Sequence, residues 1–150
     1  MPTVVEFRTG VDDKVGYAAR WLRVAATRGV RTQVIGPVTQ LQTLDRLLWV
    51  DDPQDFVPHA WVHQAGRTPG LERTALWLGD GEVPAPGAAL LLNLGADVPL
   101  DLAPFERVIE LVASDPVDAQ AGRRRWKAYQ QRGLTPAHRA GNNAGNRPGT

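Results

Sequence analysis

The first fifty residues alternate between two hydrophobic periodicities, and that alternation restricts the fold more than any other property of the chain. Thr3-Val-Val-Glu-Phe7 is a short run of β-branched and aromatic residues, the composition of a strand. From Asp12 to Arg28 apolar residues recur at Val15, Ala18, Ala19, Leu22 and Ala25, the spacing of one helix face, and Gly29 ends the pattern. Val30 to Ile35 is again strand-like, and Thr39 with Gln42 forms a capping-box pattern ahead of Leu41, Leu44, Leu47 and Leu48. Two strands joined by a helix of this length lie parallel in one sheet through a right-handed crossover. The expected fold is a single-domain α/β architecture, an open, mainly parallel sheet flanked by helices.

The rest of the chain extends this plan. Pro53 and Pro58 break the second helix, and Gln64 to Gly70 is a polar loop. Ala75 to Leu78, Ala88 to Leu92 and Arg107 to Val112 are short apolar runs, as expected of strands buried on both faces. Ser114-Asp-Pro-Val-Asp118 offers an N-cap, a proline in the first turn and an acid beside it, so a last helix is expected from about Pro116 to Arg132. Gly122 inside that helix costs about 1 kcal/mol relative to alanine, which packing must offset. From Thr135 the composition turns to Gly, Asn, Pro and Arg without apolar periodicity. The expected division is a domain over residues 1–134 and a disordered tail over 135–150.

A fold of this shape invites a nucleotide, yet neither G-x-G-x-x-G nor G-x-x-x-x-G-K-[ST] occurs, and Asp12 and Asp13 stand where a phosphate would sit. His59 and His63 are four apart but lack a third ligand, and with no cysteine the common thiolate sites are excluded. No nucleophile elbow is present, so no catalytic residue, cofactor or metal is expected. The absence of roughly 18 consecutive apolar residues and of a leader pattern points to a cytoplasmic protein without a membrane partner.

Charge is distributed unevenly. The first 118 residues hold all sixteen acids and ten bases, a net −6, whereas the last 32 hold seven bases and no acid. A basic end of this kind attracts phosphates or carboxylates. Its core is Arg123-Arg-Arg-Trp-Lys-Ala-Tyr129, where Arg123, Trp126 and Lys127 share one helix face while Val117, Ala121 and Ala128 are free to turn toward the sheet. An apolar platform rimmed with cations suits three roles: a solvated basic face, direct binding of single-stranded nucleic acid, or capture of an acidic peptide. Chemistry alone does not choose among them. Leu44-Asp-Arg-Leu-Leu-Trp49 followed by Phe56-Val-Pro-His59 places two large aromatics around a helix end, either as core packing or as interface anchors.

Taken together and in this order, the Leu44 to Trp49 segment, the Phe56 to His59 run and the Arg123 to Tyr129 helix resemble the chi subunit of bacterial DNA polymerase III, from the first strand to about Leu134. The resemblance implies a nucleotide-binding-like shape without a phosphate-binding loop, and a non-catalytic adaptor with two protein-binding surfaces. On one, the acidic C-terminal tail of single-stranded-DNA-binding protein would bind: Arg123 would pair with its terminal carboxylate, Arg124 and Lys127 would attract its acids, and Trp126 with Val112 would wall a pocket for its terminal aromatic ring. On the other, around Trp49, Phe56 and Pro58, a psi subunit, an equivalent clamp-loader partner or a helicase would dock, so that DNA is reached indirectly. Ala119 stands where the family can carry a base, and the Gly/Asn-rich stretch from Gly141 to Thr150 has no assigned role. A basic module binding single strands directly is the alternative.

Overall fold

The structure, a computed structural model, describes residues 3–49, 57–64, 74–79, 81 and 84–140. Along the chain run β1 (Val4–Val11), α1 (Lys14–Thr27), β2 (Thr32–Ile35), α2 (Val38–Leu48), β3 (Ala60–Trp61) with a 3₁₀ turn (Val62–Gln64), β4 (Leu76–Gly79), β5 (Leu90–Asn93), β6 (Arg107–Ala113), α3 (Pro116–Gln131) and β7 (Ala137–Ala140). The seven strands form one open sheet in the order β3-β4-β2-β5-β6-β1-β7, and every pairing is parallel. Among the described residues no helix is long and apolar enough to cross a membrane.

The helix ends follow local chemistry. Asp13 caps α1 by accepting from the Gly16 amide at 3.0 Å, and Gly29 just beyond its end adopts a left-handed φ of 68°. Asp115 caps α3 by accepting from the Asp118 amide, with Pro116 opening the helix. The capping box expected at Thr39 and Gln42 does not form: Pro37 occupies the cap position without a side-chain bond, and α2 starts at Val38. A proline already set near φ −58° starts the helix two residues earlier than the Thr39 hydroxyl would.

Side chains divide between two cores because successive strand residues point to opposite faces. On one face Ala18, Trp21 and Leu22 of α1 and Leu41, Leu44 and Leu48 of α2 pack with Ile109 and Leu111 of β6. On the other, Val108 and Val112 of β6 join Val5 and Phe7 of β1, Trp77 of β4, Tyr129 of α3, and Leu102 and Phe105 from the β5–β6 connection. Two helices cover the first face. The second is covered by α3 and irregular chain.

Two short strands escaped the sequence reading, β3 and β7. Residues 137–140, expected in a disordered tail, instead pair in parallel with Glu6 to Thr9 of β1. All four are exposed, so no buried face imprints a period-2 pattern on them. Backbone pairing, the Thr9–His138 side-chain contact and an ion pair hold them. The Glu6 carboxylate, buried on the α1 face, takes Arg8 at 3.1 Å, Arg107 at 3.0 Å and Arg139 of β7 at 2.8 Å. Burial pushes this carboxyl up, but the combined pull of Arg107 and Arg8 outweighs it and holds the group below its ordinary value.

α3 lies close to the sheet at Gly122. A methyl group built there would stand 2.8 Å from Cγ2 and 3.0 Å from Cγ1 of Val112. Val112 is β-branched and buried, so it has little freedom to yield. The close approach is the packing gain that offsets glycine's poor helix propensity. Gly122→Ala should lower stability by about 1–3 kcal/mol despite its higher helix propensity. In a Val112→Ala background the same substitution should be neutral or stabilising; thermal melts of the two single variants and the double variant measure that coupling.

Candidate functional site

A cleft of about 410 Å³ opens between α3 and the β6-β1-β7 edge of the sheet. Phe7 of β1 and Val112 of β6 form its apolar floor, Gly122, Arg123 and Trp126 of α3 form one wall, and Thr9 of β1 with His138 of β7 form the other. The Trp126 ring is tilted 58° against Phe7 with centroids 5.1 Å apart, and Phe7 meets Tyr129 edge-on at 5.9 Å. These aromatic contacts hold the floor and helix wall in register. Among the described residues no acidic side chain lines the cleft.

The residues expected to form a peptide site are brought together in part. Val112, Arg123 and Trp126 line one cleft. Lys127 is exposed on the adjoining face of α3. Arg124 is also exposed but lies about 100° further round the helix from Arg123, away from the lining. Ala119 also lines the cleft. The helix face turned to the sheet differs from the expected one: Gly122, Arg125 and Tyr129 are buried, whereas Val117 is 78% exposed and Ala121 and Ala128 are only half-buried. A glycine, an arginine and a tyrosine do not register as an apolar stripe, which is why the face was misread.

Arg125 is buried because β6 carries an acid beneath it. Glu110 is completely buried and accepts from Arg125 Nε at 2.9 Å, from Asn93 Nδ2 at 2.7–2.8 Å and from the Tyr129 hydroxyl at 3.4 Å. Burial pushes its carboxyl up to about 7, against the opposing pull of Arg125, Asn93 and Tyr129. Burial, followed by the neighbouring Glu110 charge, raises the Tyr129 phenol. The sequence signal was present: Glu110 interrupts an apolar run, and an acid inside a buried strand requires a partner.

The other expected surface lies at the end of α2. Trp49 is 62% exposed and packs edge-on against His59 with centroids 5.8 Å apart. His59 is held from both sides, its Nε2 at the Asp45 carboxylate and its Nδ1 2.7 Å from the Val57 carbonyl. Val38, Asp45 and Trp49, spaced by seven and four residues, follow one flank of α2, and Val38 is 61% exposed. Pro58 is exposed and lines a pocket with Leu22, Ala25 and Ala26 of α1, while Phe56 lies outside the described residues. Among the described residues no group of three His, Cys, Asp or Glu is placed to hold a metal.

The raised Glu110 carboxyl has a defined sign in stability. The folded state keeps its proton above the range where the unfolded chain releases it, so this group's contribution falls as pH rises from about 4.5 to about 7. Glu110→Gln removes the titration and leaves Arg125 without its ion pair. The stability difference between the wild type and this variant should shrink by up to about 3 kcal/mol between pH 5 and pH 8, read by denaturant unfolding at each pH.

Comparison with known proteins places this geometry in one family. The model of the DNA polymerase III chi subunit, HolC, matches residues 1–137. A curated relative named DNA polymerase III subunit chi, from Pseudomonas aeruginosa, is 33% identical over 94 residues. That alignment spans 63% of this chain and 62% of the relative, less than two thirds of its length. The matched region takes in β1 through α3, and so the Trp49 flank and every lining residue of the cleft except His138. The chain belongs to the DNA polymerase III chi subunit family, a family of non-catalytic accessory subunits of that polymerase.

Proposed function

We propose that this protein is an adaptor that takes the acidic C-terminal tail of single-stranded-DNA-binding protein in the α3 cleft and joins the clamp loader through the Trp49 surface. The observation that carries the reading is a cleft with an apolar floor, Arg123 in its wall and, among the described residues, no acid in its lining. A ligand that ends in an aromatic ring beside a free carboxylate matches both parts, the ring over Phe7 and Val112 and the carboxylate at Arg123. Exposed Arg124 and Lys127 stand outside the lining and act on the preceding acids through longer-range attraction, weakened by salt. On the opposite face of the sheet, exposed Trp49 and Pro58 are the described part of the surface for a psi-like subunit or a helicase, to which the family resemblance adds Phe56. DNA is then reached through partners, in the cytoplasm.

The tail peptide tests the first surface. Arg123→Ala should weaken its binding about ten-fold or more, the loss expected for one charge-assisted hydrogen bond of roughly 1.5–3 kcal/mol. Removing the terminal aromatic from the peptide should nearly abolish binding even at low salt. Calorimetric titration reads both, and tighter binding of bare single-stranded DNA than of the peptide would replace the adaptor by a direct nucleic-acid module.

The second surface has its own outcome. Trp49→Ala should abolish pull-down of the clamp-loader partner while leaving the melting temperature nearly unchanged, because the ring is mostly exposed. A large loss of stability with the partner still bound would assign the ring to packing, where truncation costs about 3–5 kcal/mol.

A further inference from the structure

The cleft has a second polar wall that the tail-peptide reading does not use. β7 pairs with β1 so that His138 lies beside Phe7, and this register places the imidazole on the α3 face of the sheet. Its neighbour Arg139 points to the other face, where it binds Glu6. His138 lines the cleft across from Arg123 and Trp126, and its side chain is exposed. Nε2 of the ring is 2.5 Å from the Thr9 hydroxyl, itself part of the same wall. When Thr9 donates to Nε2, the ring hydrogen is placed on Nδ1. Nδ1 has no hydrogen-bond partner among the described residues.

We infer that His138 of β7 is a ligand contact in this cleft, donating a hydrogen bond from Nδ1 to a carboxylate or main-chain carbonyl of the bound acidic peptide, opposite Arg123. The inference rests on the tail-peptide reading and adds to it a second donor, on a different element. Arg123 and His138 then grip the peptide from two walls while its ring fills the floor between them. Thr9 is a positioning residue: it fixes the ring's orientation and tautomer without touching the peptide. β7 thereby has a task beyond closing the sheet edge, because only its pairing with β1 brings a donor to that side of the cleft.

The test uses the full chain and a synthetic acidic peptide that ends in an aromatic residue with a free carboxylate. His138→Ala should weaken binding roughly three- to ten-fold with the melting temperature little changed. The ring resonances of His138 in the wild-type protein should shift on adding the peptide and saturate with the binding curve. If Arg123→Ala weakens binding but His138→Ala does not, or if the His138 ring resonances stay unmoved at saturating peptide, the contact is overturned while the cleft reading stands. If Arg123→Ala binds as tightly as the wild type, the cleft reading fails and this inference fails with it.

Discussion

The ion pair between Glu110 and Arg125 sets the geometry on which the rest of the site depends. A carboxylate in the middle of a parallel sheet is costly unless donors surround it, and here one side chain from β5 and two from α3 converge on it. Those contacts fix the rotation of α3 about its own axis. With Arg125 and Tyr129 turned inward, Trp126 must fall on one flank and Arg123 beside it, because neighbouring positions differ by about 100°. Gly122 then allows the helix to approach Val112 closely enough for that flank to meet the sheet.

The cleft is a consequence of unequal coverage. α1 and α2 cover one face of the sheet, while the other has a single helix, and that helix lies over the β6 side of the molecule. Beyond its flank the β1-β7 edge of the sheet is left open, floored by Phe7 and ended by an exposed strand. A parallel sheet with both faces fully covered would have no room for a ligand there. The seven-stranded order places the open region at the end of the sheet and the Trp49 flank on the opposite face, so the two surfaces do not overlap.

The basic end of the chain is less uniform than its composition. Of seven bases after residue 118, Arg125 is engaged with Glu110, Arg139 with Glu6 and Arg132 with the Pro99 carbonyl. Arg123, Arg124 and Lys127 remain exposed on α3, and Arg147 lies outside the described residues. The surplus that faces solvent on this helix is therefore three cations, one of them in the cleft lining. These three cations make a short patch on one helix and not the extended track of charges that holds a long polyanion.

The sequence by itself determined the class of fold, because hydrophobic period reports directly whether a segment presents one face or two: α1, the start of α3 and the five longer buried strands were all legible from it. The family resemblance also grouped Val112, Arg123 and Trp126, which line one cleft in the structure. What only the tertiary structure decided was every relation carried by polar residues over long sequence separation. Arg125 is indistinguishable from Arg123 and Arg124 until Glu110 is placed beneath it. β7 has no buried face to leave a pattern, so its pairing with β1, and with it the position of His138, becomes visible only when Glu6 and Arg139 meet across the sheet edge. Periodicity is local, whereas an ion pair is a property of two distant positions, and its second member is named only by the fold.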